Sequence, residues 1–237
     1  MGIGKDIFEL CDKIKYSFAD IRLLERALTH SSYTNEMKVK GIRAGSNELL
    51  EFLGDAVLQI VISEELFDRY GSLGEGALTR MRQHLVCEES LARVARSISL
   101  GDYLNVGTGE ETSRLRERDK VLADAMEALI AAIYKDAGQD KNGRYKRVIL
   151  DLFADELLQI ENNSSYDYKT MLQQFVEKNP ESVLRYEYEE TGPEHNKRFA
   201  ATAYINNNRV GTGTGTTKRA AEMQAAKSAL RLFGMLR

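Results

Sequence analysis

Asn47-Glu48-Leu49-Leu50-Glu51-Phe52-Leu53-Gly54-Asp55-Ala56-Val57-Leu58 sets three carboxylates on what the spacing predicts to be an otherwise almost wholly apolar helix. At 100° per residue Glu48, Glu51 and Asp55 fall within an arc of about 60°, while Leu49, Leu50, Phe52, Leu53, Ala56 and Val57 cover about 40° to 200°. The pattern reads as a helix built to be buried, with its acids on one stripe. Like charges crowded in a low-dielectric setting are costly unless a cation or a shared proton offsets them, and no Lys or Arg lies within the run. A metal ion is the natural partner.

The stretch Val121 to Tyr134, VLADAMEALIAAIY, repeats the theme, with Asp124 and Glu127 at i and i+3 and so on one face. Two such helices can meet in an oxygen-rich cup suited to Mg²⁺ or Mn²⁺. Zinc chemistry does not fit: His30, His84 and His195 show no ligand spacing, and Cys11 and Cys87 stand alone. The bland alternative is that the acids reach solvent or pair with distant arginines; two such helices in one chain weigh against it. A divalent ion held by carboxylates offsets phosphate charge and lowers the pKa of an attacking water, so phosphodiester hydrolysis is the leading chemistry. No Ser-His-Asp or Cys-His set is apparent, and Gly107-Thr108-Gly109 lacks the strand, helix and third glycine of a dinucleotide site.

The run 47–58 and the segment ADAMEAL at 123–129 resemble the two acidic signatures of the ribonuclease III family. The resemblance extends, in the family's order, to Ala27-Leu28-Thr29-His30-Ser31-Ser32-Tyr33, to Glu75-Gly76 and to Gly107-Thr108-Gly109-Glu110, and so covers nearly the whole chain. It implies that Glu51, Asp55, Asp124 and Glu127 bind a catalytic Mg²⁺, which Mn²⁺ can replace, with Asp55 and Glu127 the catalytic pair. Glu48, Glu75 and Glu110 match secondary acidic positions near the cleft. His30 and Ser31 read as packing and capping groups rather than catalysts.

The 237 residues, 43% hydrophobic, are enough for two modest domains, each with a core. No run of 18 apolar residues occurs and the N-terminus alternates charged with apolar residues, so the expectation is a soluble cytoplasmic protein without a membrane partner. Two distant cysteines agree with a reducing compartment, and Cys87 reads as a buried small residue on a helix-like stretch. The net charge of −3 is uneven. Residues 195–237 hold eight Lys/Arg and one Asp/Glu, which leaves −10 on the first 194 and localises a polyanion footprint at the C-terminal end.

From Lys5 to about Leu158 the apolar spacing is helical throughout, which predicts an all-α domain over 1–158 with Ser46 or Asn47 as N-cap of the signature helix. Residues 159–165 are mostly polar and aperiodic and read as a linker. In 166–237 a helix at Tyr168–Lys178 precedes strands at Leu184–Glu190, Arg198–Ile205 and Arg209–Thr216 and a closing helix at Thr217–Phe233. This α-β-β-β-α order resembles the double-stranded RNA-binding domain, an α+β module. Lys218 and Arg219 occupy the first turn of the last helix, where the macrodipole disfavours cations, and a Gly-Thr loop precedes them; together these features read as a phosphate site. With no GKS or GKT after the glycines, a nucleotide cofactor is not expected. By resemblance, Lys218, Arg219 and that loop span major-groove phosphates, while Thr170, Gln173, Gln174, His195 and Lys197 belong to the RNA-contacting set. Glu222 departs from the pattern, standing where many such domains carry a third basic residue, which implies modest affinity.

The resemblance further implies endonucleolytic cutting of double-stranded RNA to 5′-phosphate and 3′-hydroxyl ends with short 3′ overhangs, processing of ribosomal RNA precursors and other structured transcripts, and a homodimer. A non-catalytic RNA-binding protein of the same fold is the first alternative, and all four metal carboxylates argue against it. A small-molecule phosphohydrolase is the second.

Overall fold

The computed structural model describes residues 6–108, 112–138, 143–162, 168–191 and 197–236. By their internal contacts the residues group into two compact units, Met1–Glu65 with Arg80–Leu158, and Leu66–Thr79 with Gln159–Arg237.

The helical part runs α1 (Ile7–Ile14), α2 (Ile21–Ala27), α3 (Ser31–Val39), α4 (Glu48–Tyr70), α5 (Glu75–Leu85), α6 (Glu88–Ser97), α7 (Thr112–Leu115), α8 (Asp119–Ala137), α9 (Arg144–Leu152) and α10 (Ala154–Asn162). Several starts are capped as their sequences dictate. The Asp6 side chain accepts from the Phe8 amide, Asp20 from Arg22 and His30 from Ser32. His30 is thus the capping group expected of it, whereas Ser31 is already inside α3. Helix α8 is the central post of the first unit: from Val121 to Ile133 it is buried except at Asp124 and Glu127. Its alanines allow close approach, and Ala128, Ala131 and Ala132 form one cluster with Ala27 and Leu50. One buried carboxylate in this unit is fully partnered: Glu156 accepts from both sides of the Arg93 guanidinium, at 3.0 and 2.7 Å, and from Ser90. The Arg93 pairing holds it below the usual carboxylate range.

Three sequence expectations are corrected here. The signature helix is not wholly buried. Leu50, Val57, Leu58, Val61 and Ile62 face the core, but Leu49 (70%), Phe52 (80%) and Ile60 (60%) are exposed. The apolar arc of α4 is wider than one core contact can cover, so part of it is left outside. The expected linker also begins too early. Residues 159–162 continue α10, and Ile160 is fully buried, completing an i, i+4, i+7 set with Phe153 and Leu157 that the surrounding polar residues obscure. Cys87, in addition, is half-buried at the N-cap of α6, not within a helix.

The second unit contains α11 (Tyr168–Glu177), β1 (Leu184–Thr191), β2 (Arg198–Ile205), β3 (Asn208–Gly215) and α12 (Lys218–Leu232). The strands form one antiparallel sheet in the order β1-β2-β3. The Gly-Thr alternation lies in β3, in keeping with the strand expected at Arg209–Thr216, and the period of two explains it. Gly211, Gly213 and Gly215 turn toward α12, where a Cβ would stand within 2.7 Å of its atoms, next to Ala221, Ala225 and Ala229. Thr212 and Thr214 point to the open face. Glycines here let a helix lie directly on a strand.

Candidate functional site

The carboxylates of the first unit are set by two helices and one loop. The loop entering α4 is pinned by Asn47, whose amide donates to the Thr29 carbonyl at 2.8 Å and whose carbonyl receives the amides of Leu50 and Glu51. Asn47 is buried, so the first turn of α4, with Glu48 and Glu51, starts from a fixed point. One turn on, Gly54 meets α8: a Cβ there would lie 1.8 Å from the Glu127 carbonyl oxygen. The helices therefore cross main chain to main chain, with Asp55 and Glu127 flanking the crossing.

Charge follows geometry. Burial, then the charges of Asp55, Glu51 and Asp124, push the Glu127 carboxyl up to about 7, with Lys120 opposing. Burial and Asp124 likewise raise Glu51, with Lys120 again opposing. Burial lowers His30 while Asp124 and Glu48 pull the other way, which locates Glu48 and the His30 ring at the edge of the same group. The structure thus brings together Glu51, Asp55, Asp124 and Glu127, with Glu48 beside them. Glu75 lies in the first turn of α5, accepts from the Thr79 hydroxyl at 3.1 Å and belongs to the segment 66–79 of the other unit. Glu110 lies outside the described residues.

Among the described residues no three such side chains stand as a ready ligand shell. Two of the acids are held by neighbours on their own helices. The Gln59 amide donates to Asp55 at 2.9 Å, and the Lys120 ammonium pairs with Asp124 at 3.2 Å. Each is four residues from the acid it holds, so helical spacing alone supplies the contact. The set fits a hard cation by its donors, all carboxylate oxygens in a half-buried place with one opposing lysine. A cation there would compete with Lys120 for Asp124, while Asp55 keeps an oxygen that Gln59 does not use.

In the second unit Thr170, Gln173 and Gln174 are exposed on one side of α11. Thr170 and Gln173 share a cleft of about 550 Å³ with Lys169, Arg219, Glu222 and Met223. Lys218 and Arg219 are exposed in the first turn of α12, whose N-cap Thr217 accepts from the Ala220 amide. Lys197 is exposed just before β2, and His195 lies outside the described residues.

Residues 20–153 match the ribonuclease-III-like family and residues 168–232 the double-stranded RNA binding motif. The chain belongs to the ribonuclease III family of endoribonucleases. It is 47% identical over 227 residues to ribonuclease 3 of Caldanaerobacter subterraneus subsp. tengcongensis, covering 95% of this chain and 97% of that one. The figure for ribonuclease 3 of Natranaerobius thermophilus is 45%, over 94% of each. A solved nuclease domain of ribonuclease III from Campylobacter jejuni, described for flexibility in a region involved in dimer formation, aligns with a TM-score of 0.56 at 38% identity. The alignment covers 63% of this chain and 97% of that one.

Within this ribonuclease III chain, sequence reasoning missed four positions that shape the acidic group. Gly54 carried the clearest signal, because glycine inside a helix costs about 1 kcal/mol relative to alanine and calls for a packing reason. Lys120 and Gln59 could have been found by four-residue spacing from the acids. Asn47 was read only as a cap, and its bond to Thr29 depends on tertiary approach.

Proposed function

We propose that this ribonuclease III family member is a Mg²⁺-dependent endonuclease of double-stranded RNA. It leaves 5′-phosphate and 3′-hydroxyl ends with short 3′ overhangs and works in the cytoplasm on ribosomal RNA precursors and other structured transcripts. In this reading residues 1–158 form the nuclease and 166–237 the RNA-binding module. The observation that carries it is the main-chain crossing at Gly54, which sets Asp55 of α4 beside Glu127 of α8 and gives Glu127 its carboxylate neighbours.

Glu51, Asp55, Asp124 and Glu127 would hold the ion. When bound it offsets the charge of the scissile phosphate and acidifies the attacking water. Glu127, half-buried among three acids, holds a proton on its carboxyl to about pH 7 and releases it as positive charge arrives. Lys120 keeps Asp124 partnered, and Gln59 keeps Asp55 oriented, until that exchange. Thr170, Gln173 and Gln174 reach minor-groove hydroxyls, and Lys218 and Arg219 reach phosphates.

The working unit is a homodimer. Leu49, Phe52 and Ile60 leave an apolar stripe exposed on the helix that carries the acids, and such a patch marks an interaction surface. Among the described residues no helix is long and apolar enough to cross a membrane.

The test is cleavage of a uniform RNA duplex with and without Mg²⁺, with the product ends mapped and single-stranded RNA and DNA duplex as controls. Metal-independent cutting, or equal cutting of single strands, would refute the reading. Loss of activity on deleting residues 166–237 separates it from a small-molecule phosphohydrolase.

A further inference from the structure

Glu222 is a carboxylate on the α12 side of the cleft that holds Thr170, Gln173 and Arg219. Both its oxygens are taken: Oε2 accepts from the Lys169 ammonium at 3.0 Å, and Oε1 accepts from the Tyr188 hydroxyl. The Glu222 side chain is 12% exposed, against 45% for Lys169. The Lys169 ammonium also lies 5.4 Å from the centre of the Tyr186 ring. A second pair repeats the arrangement. Lys218 stands 3.4 Å from Glu190 and 5.8 Å from the centre of the Tyr188 ring, so Tyr188 joins the two pairs. Burial and Glu222 push the Tyr188 hydroxyl up to about 12, and it remains a donor to Glu222 at any physiological pH.

We propose that Glu222, seconded by Glu190, is an internal counter-charge that caps the affinity of this chain for RNA phosphates by neutralising Lys169 and Lys218. The proposal rests on the reading of the second unit as a duplex-RNA binder. A phosphate approaching Lys169 meets a pair of zero net charge. The lysine contributes to counterion release only as far as it leaves Glu222. Duplex binding therefore exchanges protein ion pairs for phosphate contacts, and affinity depends on the groups free of such pairing. Arg219, in the same cleft, has no carboxylate partner of this kind among the described residues.

The experiment is binding of the full-length chain to a uniform RNA duplex, without divalent metal, followed by fluorescence anisotropy over a series of salt concentrations. Glu222→Gln keeps the size of the side chain and, through its single carbonyl oxygen, one of the two acceptor contacts while removing its charge. It is expected to tighten binding about fivefold at low salt and to steepen the log K against log salt slope by about 1. Lys169→Met alone leaves the Glu222 charge unpaired and is expected to weaken binding, whereas Lys169→Met with Glu222→Gln, neutral like the wild-type pair, is expected to bind within about twofold of the wild type. Glu190→Gln, which breaks only an exposed pair, steepens the slope in the same direction and serves as a second variant should Glu222→Gln melt early. Weaker or unchanged binding by both Gln variants overturns the proposal. A double variant that binds as tightly as Glu222→Gln alone overturns the assignment of the pair. Failure of the wild-type chain to bind duplex RNA would overturn the underlying reading instead.

Discussion

Gly54 of α4 lies against the main chain of Glu127 in α8: a Cβ at Gly54 would stand 1.8 Å from the Glu127 carbonyl oxygen and 2.4 Å from its carbonyl carbon. Real atoms cannot occupy such distances, so any larger residue must push the two acidic helices apart. Gly54→Ala gains about 1 kcal/mol of helix propensity, yet overpacking costs about 1–3 kcal/mol and more where the obstacle is backbone. The expected net result is destabilisation by about 2 kcal/mol and, because displacements near 1 Å cost reactivity steeply, a loss of cleavage on the order of 100-fold. Urea unfolding and single-turnover cleavage check both. A Gly54→Ala protein of wild-type stability and rate would mean that the helices do not touch there.

Crowding at Glu127 gives a pH dependence opposite to that of an ordinary paired carboxylate. Its folded pKa, about 7, lies above the ordinary 4.5, so folding disfavours the charged form. The penalty is absent below about pH 4.5, grows as pH rises through the window from 4.5 to 7, and is complete above it. In metal-free buffer Glu127→Gln should therefore stabilise the chain by roughly 1 kcal/mol at pH 8, a figure discounted for the partial exposure of the side chain, and by almost nothing at pH 4. Mg²⁺ should then raise the unfolding midpoint of the wild type more than that of the variant. The same variant should bind duplex RNA and fail to cut it, since an amide is a poor ligand for a hard cation. Equal stabilities at both pH values, or substantial residual cleavage, would contradict the assignment.

Much of this arrangement could be read from the chain because helical spacing is local. The stripe of Glu48, Glu51 and Asp55 and the pair Asp124 and Glu127 follow from 3.6 residues per turn, as does the closing helix, and the strand at Arg198–Ile205 follows from a period of two. What escaped was set by tertiary approach. The burial of α4 was overstated because periodicity shows that a helix has an apolar arc, not how much of it the core can cover. Phe52 and Leu53 are adjacent in sequence and differ in fate. Ile160 was hidden among polar residues although its spacing from Leu157 and Phe153 is helical. The strand expected at Arg209–Thr216 is β3, but that its glycines seat α12 directly on it depends on tertiary approach. Lys120 and Gln59 were within reach of the four-residue rule.

The two first-turn cations of α12 should not contribute equally. Lys218 is paired with Glu190, whereas Arg219 lines the cleft beside Thr170 and Gln173. Arg219→Ala is expected to weaken binding to all duplex sequences alike and to flatten the log K against log salt slope by about 1, and Lys218→Ala to do so by clearly less. A salt titration of each variant on two unrelated duplexes measures both quantities. A loss confined to one sequence, or no change in slope for Arg219→Ala, would show that this turn does not face the RNA backbone.

Among the described residues α4 and α8 of each chain bring together one group of acids, and cutting a duplex through requires two hydrolytic events on opposite strands. The exposed residues Leu49, Phe52 and Ile60 lie on the same helix as Glu51 and Asp55, so a partner docked there would bring a second group of acids within the same assembly. Replacing Phe52 and Ile60 with Glu should leave the helical content unchanged, because neither side chain is in the core, yet yield a monomer by sedimentation and lose double-strand cleavage. If each subunit cuts one strand, dimers pairing a wild-type chain with a Glu127→Gln chain should nick a duplex once and stop. Such dimers, tagged differently on each chain and kept from exchanging subunits, can be tested on duplexes labelled on both strands. Nicking of one strand per binding event supports the division of labour. Efficient double-strand breaks from a single binding event, or a fully active species that sediments only as a monomer, would show that one group of acids serves both strands.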